Sequence, residues 1–124
     1  MRKTILTVDD SRTMRQMLML ALTEAGYRVI EAEDGICGLE VLQFESPDVI
    51  VTDINMPRLD GYGFIESVRR SERHRAIPIL VLTTECDPEK KNRARCAGAT
   101  GWIQKPFDPV KLSSAIRRVT AATG

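Results

Sequence analysis

Four places in this chain of 124 residues carry side chains that could together handle a phosphoryl group: Asp9-Asp10, Asp53, Thr83-Thr84 and Lys105. Three carboxylates held close repel one another and resist full ionisation without a cation. Oxygen-only ligands suit a hard divalent ion, and Mg2+ is the usual one where phosphate is handled. One of the carboxylates could then act as nucleophile toward phosphorus, as in aspartyl-phosphate chemistry. Mg2+, Lys105 and Thr83 would stabilise the charge on the phosphoryl oxygens. Taken singly, each residue says little. An Asp at a strand end usually caps a turn or helix, Thr83 fits a pleat, and Lys105 fits a solvated surface. The combination matters only if the fold brings them to one rim.

The pattern of apolar residues predicts such a fold. Thr4–Val8 is a short β-branched run, a buried strand. Met14, Met17, Leu18, Ala21, Leu22 and Ala25 then fall on one helical face, with Ser11 as N-cap and Gly26 as stop. A second strand covers Tyr27–Ala32. Asp34-Gly35 opens a weaker helix to Gln43, with Ile36, Leu39 and Leu42 inward. The third strand is Asp48–Asp53. A loop with Pro57 and Asp60-Gly61 leads to a helix over Tyr62–Arg70. Ile77–Thr83 is the fourth strand, with Pro78 near its start. Asp87-Pro88 caps a helix to about Ala97, where Gly98 ends it. Thr100–Gln104 is the fifth strand, and Asp108-Pro109 starts a last helix that buries Leu112, Ala115, Ile116 and Val119. Residues from Thr120 onward are expected to fray. Five apolar strands alternating with five helices imply an α/β domain, with a parallel sheet covered on both faces. In such sheets function gathers beyond the carboxyl ends of the strands, where all four places fall.

Composition narrows the function classes. Eighteen basic residues against seventeen acidic give a net charge of +1, which excludes a strongly basic nucleic-acid binder by bulk charge. The balance hides an asymmetry: residues 1–62 carry −5 and residues 63–124 carry +6. No apolar run reaches the ~18 residues of a membrane span, and the N-terminal apolar stretch is too short for a secretion signal. Cys37, Cys86 and Cys96 form no CxxC pair and read as reduced, half-buried thiols of a cytoplasmic protein. His74, between Arg73 and Arg75, reads as a surface residue and not a zinc ligand.

In order and at strand-helix spacing, Asp9-Asp10, Asp53, Met56-Pro57, Asp60-Gly61, Thr83 and Lys105-Pro106-Phe107 make up a familiar set. The chain resembles the receiver domain of two-component response regulators, most closely the single-domain chemotaxis type, across nearly its whole length. The resemblance implies a flavodoxin-like doubly wound fold with strand order 2-1-3-4-5, and a single monomeric receiver domain over 1–124. It implies that Asp53 is the phosphoacceptor. Asp10 and Asp53 would bind Mg2+, Asp9 would act through a water, and the Asn55 carbonyl would complete the ligands. Lys105 would pair with phosphoryl or carboxylate oxygens, and Thr83 would hydrogen-bond the phosphoryl group and relay its presence. The donor would be the phosphohistidine of a sensor kinase.

Two positions depart from the family's habit. Trp102 stands at the switch position on strand five, where Tyr or Phe is usual. Either the indole swings between rotamers or it is a fixed core or partner-contact residue. Thr84 stands where a small residue is usual, and would narrow access to Asp53. Asn55 and Glu85 occupy the two positions that tune phosphoryl lifetime, and their pairing resembles that of fast-hydrolysing chemotaxis members. With no further domain expected, output would be a protein contact. The helix over 88–97 has almost no apolar face, so it is either a solvated charged face or a basic docking surface. On the docking reading Lys90, Lys91, Arg93, Trp102 and Lys111, with Arg117 and Arg118, would meet an acidic partner such as a flagellar motor switch. The alternatives are a phosphate sink or shuttle without output contact, and a phosphatase of the haloacid dehalogenase type. The last wants Asp-x-Asp after strand one, which Asp9-Asp10-Ser11 does not supply.

Overall fold

The computed structural model describes residues 2–123. The elements alternate along the chain as β1 (Thr4–Val8), α1 (Arg12–Glu24), β2 (Arg28–Ala32), α2 (Gly35–Leu42), β3 (Val49–Thr52), α3 (Gly61–Arg70), β4 (Ile79–Thr83), α4 (Pro88–Ala97), β5 (Gly101–Gln104) and α5 (Pro109–Thr123). The strands form one parallel sheet in the order β2-β1-β3-β4-β5. This is the flavodoxin-like, doubly wound arrangement.

Period-two alternation explains why the strands read as unbroken apolar runs. Leu6, Val8, Ile50, Ile79 and Val81 face one layer, built with Phe64, Ile65 and Val68 of α3, Leu42 of α2 and Ala94 of α4. Ile5, Val49, Val51, Leu80 and Leu82 face the other, built with Leu18 and Leu22 of α1 and Leu112, Ala115 and Ile116 of α5. Both faces are covered, so the central strands carry few polar residues; of these, Thr7 and Thr52 are buried, with hydroxyls that donate to the backbone carbonyls of Ile30 and Asp53.

The helix caps follow the sequence signals. Ser11, Asp34, Asp60 and Asp87 each accept a backbone N–H at the start of their helices, and Pro88 opens α4. The helical faces are less well anticipated. Met17 is 45% exposed and Ala25 is also exposed. On α2 the buried positions are Gly35, Gly38 and Leu42, with Ile36 and Leu39 only half-buried. Small residues let α2 sit close to its neighbours. Over the described residues α5 is helical to Thr123, and the Thr120 hydroxyl donates to the Ile116 carbonyl at 2.9 Å. Gly124 lies outside the described residues.

His74 also departs from expectation. It is buried, and its Nε2 lies 2.7 Å from the carbonyl oxygen of Leu42. The flanking arginines are exposed while the ring turns inward to the end of α2. The three cysteines are free thiols, but only Cys37 is half-buried; Cys86 and Cys96 are exposed. Among the described residues no helix is long and apolar enough to cross a membrane.

Candidate functional site

The sheet order reverses between β1 and β3, and the candidate residues collect beyond the carboxyl ends of the strands there. Backbone pairing sets the positions. Val8 lies opposite Thr52, and the Asp53 N–H donates to the Val8 carbonyl at 2.9 Å, so Asp53 emerges beside Asp9. On the other side Thr83 lies opposite Gln104, and the Lys105 N–H donates to the Thr83 carbonyl at 2.8 Å.

Lys105 closes the gap between the two pairs. Its Nζ donates to Asp9 Oδ2 at 2.8 Å and to Asp53 Oδ2 at 2.9 Å. The remaining oxygens are partly held by backbone: Asp9 Oδ1 accepts from Ser11 N at 2.9 Å and Asp53 Oδ1 from Ile54 N at 2.7 Å. Asp10 is exposed at the mouth, and ligand oxygens from Asp9, Asp10 and Asp53 all lie within 4.8 Å of one another. Asp9 is buried, and this burial raises its carboxyl above the ordinary range against the opposing pull of Lys105. Burial would lower the Lys105 ammonium, but its hydrogen bonds to Asp9 and Asp53 prevail and the group is raised. Three acidic side chains against one lysine leave a local negative excess. That donor set, all oxygen and partly open, fits a hard divalent cation.

The remaining predicted residues divide between the rim of this centre and the outer surface of α4, β5 and α5. Thr83 is buried at the end of β4, and its Oγ accepts from Glu85 N at 3.4 Å. Thr84 is exposed. Asn55 and Glu85 meet at the rim, Asn55 Nδ2 donating to Glu85 Oε1 at 3.2 Å. The other Glu85 oxygen takes Lys90 of α4 at 3.0 Å, and the Lys90 and Asn55 hydrogen bonds hold the Glu85 carboxyl below its usual range. Lys91, Arg93 and Lys111 are exposed, and the Arg93 guanidinium stacks 4.0 Å from the Tyr62 ring centroid. Trp102 is half-buried and lines a hollow with Ala94, Lys91 and Arg95. Its indole N–H is buried without an acceptor among the described residues. α4 buries only Ala94, in line with its charged sequence.

Two supports were not found from sequence. Arg15 donates to the Asp9 carbonyl at 2.6 Å and pairs with Glu31 at 3.3 Å, bracing the end of β1. Arg58 forms a two-point contact with Asp34. Asp34 has a visible signal as the cap of α2, but nothing local marks Arg58 as its partner.

Known proteins share this arrangement. The profile described as response regulator receiver domain matches residues 5–117. The solved chemotaxis protein CheY4 of Vibrio cholerae is 44% identical, with a TM-score of 0.92 over 96% of this chain and 99% of that one. The receiver domain of sensor histidine kinase PA1611 from Pseudomonas aeruginosa, solved with a magnesium ion coordinated in its active site cleft, is 28% identical with a TM-score of 0.91, covering 98% and 99%. The probable transcriptional regulator ycf27 of Cyanophora paradoxa is 37% identical over 98% of this chain and 50% of its own length. The chain thus spans about half the length of the first curated relatives it matches.

Proposed function

The chain belongs to the response regulator receiver domain family, and we propose that it is a receiver of chemotaxis-type two-component signalling, phosphorylated on Asp53 by a histidine kinase. The observation that carries this reading is Lys105 Nζ bridging Asp9 and Asp53 at the sheet's switch point. In this reading residues 1–124 act as one monomeric, cytoplasmic receiver domain. It is a phosphotransfer module that is itself modified, not a conventional turnover enzyme.

In the transfer, a carboxylate oxygen of Asp53 attacks phosphorus while the P–N bond of the phosphohistidine breaks. The electron pair returns to the imidazole, and an acyl phosphate forms. Asp9, Asp10, Asp53 and the Asn55 carbonyl are the residues that would hold Mg2+, Asp9 through a water. When bound, the ion supplies positive charge to phosphoryl oxygens. Lys105 is already placed on an Asp53 oxygen and would follow the charge onto the phosphoryl group. Thr83 would donate its hydroxyl to a phosphoryl oxygen, exchanging its present role as acceptor from Glu85 N. Asn55, Thr84 and Glu85 border the approach to Asp53 and would set the lifetime of the acyl phosphate. Output would pass through Lys90, Lys91, Arg93, Trp102 and Lys111 to an acidic segment of a downstream protein, such as a flagellar motor switch.

The test is incubation with acetyl phosphate or a phosphorylated kinase, with and without Mg2+, comparing wild type with Asp53→Asn. Label is expected on wild type with Mg2+ only. Stable label on the Asn variant would refute the role of Asp53.

A further inference from the structure

Arg58 is the one non-glycine among the described residues with a positive φ, +66°. The Leu59 N–H donates to the Pro57 carbonyl at 2.7 Å, so Arg58 sits at the centre of a γ-turn of the uncommon, strained hand. Such a conformation persists only where its surroundings over-determine it. Here the surroundings are the start of α2. Arg58 Nε donates to Asp34 Oδ2 at 2.7 Å and Nη2 donates to Asp34 Oδ1 at 3.0 Å. The Asp34 side chain is 4% exposed, and its Oδ1 also accepts from Cys37 N at 2.9 Å as the cap of α2. One residue on, Gly35 N donates to the Leu59 carbonyl at 3.2 Å. A Cβ at Gly35 would lie 2.6 Å from that oxygen, so the two backbones are in direct contact.

The pinned turn lies in the β3–α3 loop, which leaves the sheet at Asp53. Its far end is fixed by Gly61 N donating to the Ile54 carbonyl at 2.7 Å. Asn55 lies within that loop, exposed, with its side chain anchored across the rim to Glu85. The Arg58 side chain is half exposed, at 52%, so the ion pair adds little stability of its own. What a planar two-point contact adds is geometry, and Lys cannot reproduce it.

We propose that Asp34 and Arg58 are positioning residues for phosphoryl transfer: together they clamp the β3–α3 loop to α2 and so fix the Asn55 carbonyl for Mg2+. The inference rests on the phosphoacceptor reading above, and it extends the site to residues that touch neither the ion nor the phosphoryl group.

The test uses the full chain with Asp34→Asn, Arg58→Gly and Arg58→Lys. Asn keeps an acceptor for the α2 cap but loses the charge. Gly tolerates the positive φ and removes the fork, so Arg58→Gly is expected to fold with wild-type stability even if Asp34→Asn does not. Mg2+ affinity is read by calorimetric titration, and the rate of labelling from acetyl phosphate is followed across Mg2+ concentrations. All three variants are expected to bind Mg2+ roughly 10-fold more weakly, as loss of outer support for a ligand typically does. Their labelling deficit should appear at low Mg2+ and vanish at saturation. Charge alone predicts otherwise: losing Asp34 would weaken Mg2+ binding and losing Arg58 would strengthen it. Unchanged or tighter binding in Arg58→Gly therefore overturns the clamp, as does a full rescue by Lys. Should wild type bind Mg2+ yet take no label, the phosphoacceptor reading fails, while the titration still decides the clamp.

Discussion

Replacing Lys105 with Met removes the only cation among the described residues that touches both Asp9 and Asp53, and keeps most of the stem. At 2.8 and 2.9 Å each contact is worth about 6 kcal/mol gross at an effective dielectric of about 20. Loss of the ammonium also cancels its own desolvation penalty, so the net cost is far smaller. Removing one partner of a buried pair costs about 3–5 kcal/mol, and the open mouth at Asp10 argues for the lower end. About 3 kcal/mol at about 4 °C per kcal/mol gives a Tm lower by about 12 °C without Mg2+. Mg2+ should partly reverse this loss. In wild type the ion competes with Lys105 for the same two carboxylates, and in the variant it does not. If Mg2+ binds tenfold more tightly to the variant, saturating ion adds about 1.4 kcal/mol more than it adds to wild type. The assay is thermal unfolding at low ionic strength near pH 7.5, with and without Mg2+. A Lys105→Met protein that melts with wild type in the absence of Mg2+ would refute the electrostatic account. So would an equal Mg2+ shift in both proteins.

Three further outcomes are expected. Reversing Lys90, Lys91 and Arg93 to Glu should weaken binding of the phosphorylated chain to an acidic partner peptide roughly 10-fold at low salt, with the gap closing as salt rises; equilibrium titration at two ionic strengths checks it. Gly61→Ala should destabilise by about 1–3 kcal/mol and weaken Mg2+ binding, because the new Cβ would press on the Asp53 carbonyl oxygen; urea unfolding and calorimetry measure the two effects. Arg58, then the Cys37 N–H, holds the Asp34 carboxyl below its unfolded range, so the pair's contribution is present above the unfolded value near 3.9 and is lost as pH falls through the lower folded value. The stability gap between wild type and Asp34→Asn should therefore shrink on going from neutral to strongly acid pH, as read by urea unfolding at each pH.

The central strands β1, β3 and β4 were legible because they are buried on both faces, which leaves a short apolar run; the edge strands β2 and β5, with Arg28, Glu31 and Gln104 exposed, were marked by their flanking turn signals. Strand ends were less so: β2, β3, β4 and β5 are each one or two residues shorter than the runs suggest. Apolar residues such as Tyr27 and Ile77 continue into the loops and pack against the core. The strand order came from family resemblance, since pairing is a long-range property that no local pattern encodes. Asp9, Asp53 and Lys105 were legible for the opposite reason, being polar where an apolar strand stops. His74 was misread because its neighbours in sequence are arginines while its neighbour in space is the end of α2. The Arg58 clamp shows the same limit, joining residues 24 apart in sequence through a backbone angle that arginine rarely adopts.

The charge asymmetry takes on a definite meaning once these contacts are placed. The acidic half contributes Asp9, Asp10 and Asp53, and the basic half contributes Lys105 to the same centre and Lys90 to its rim. Glu85 stands between them, one oxygen on Asn55 and the other on Lys90. α4 has only Ala94 buried, so apolar area does little to fix it. It is held instead by polar contacts: the Glu85 pair, the Tyr62 hydroxyl on the Lys90 carbonyl at 3.5 Å, and Arg93 stacked on Tyr62. Such contacts exchange readily with water and weaken or strengthen with the charge beside them. A phosphoryl group at Asp53 would add negative charge one side chain away from that network. Thr83 would also be drawn from Glu85 N toward phosphorus. The helix least anchored by the core is therefore one whose polar anchors reach the rim of the site, and near-neutral net charge is the sum of an acidic half and a basic half that meet there.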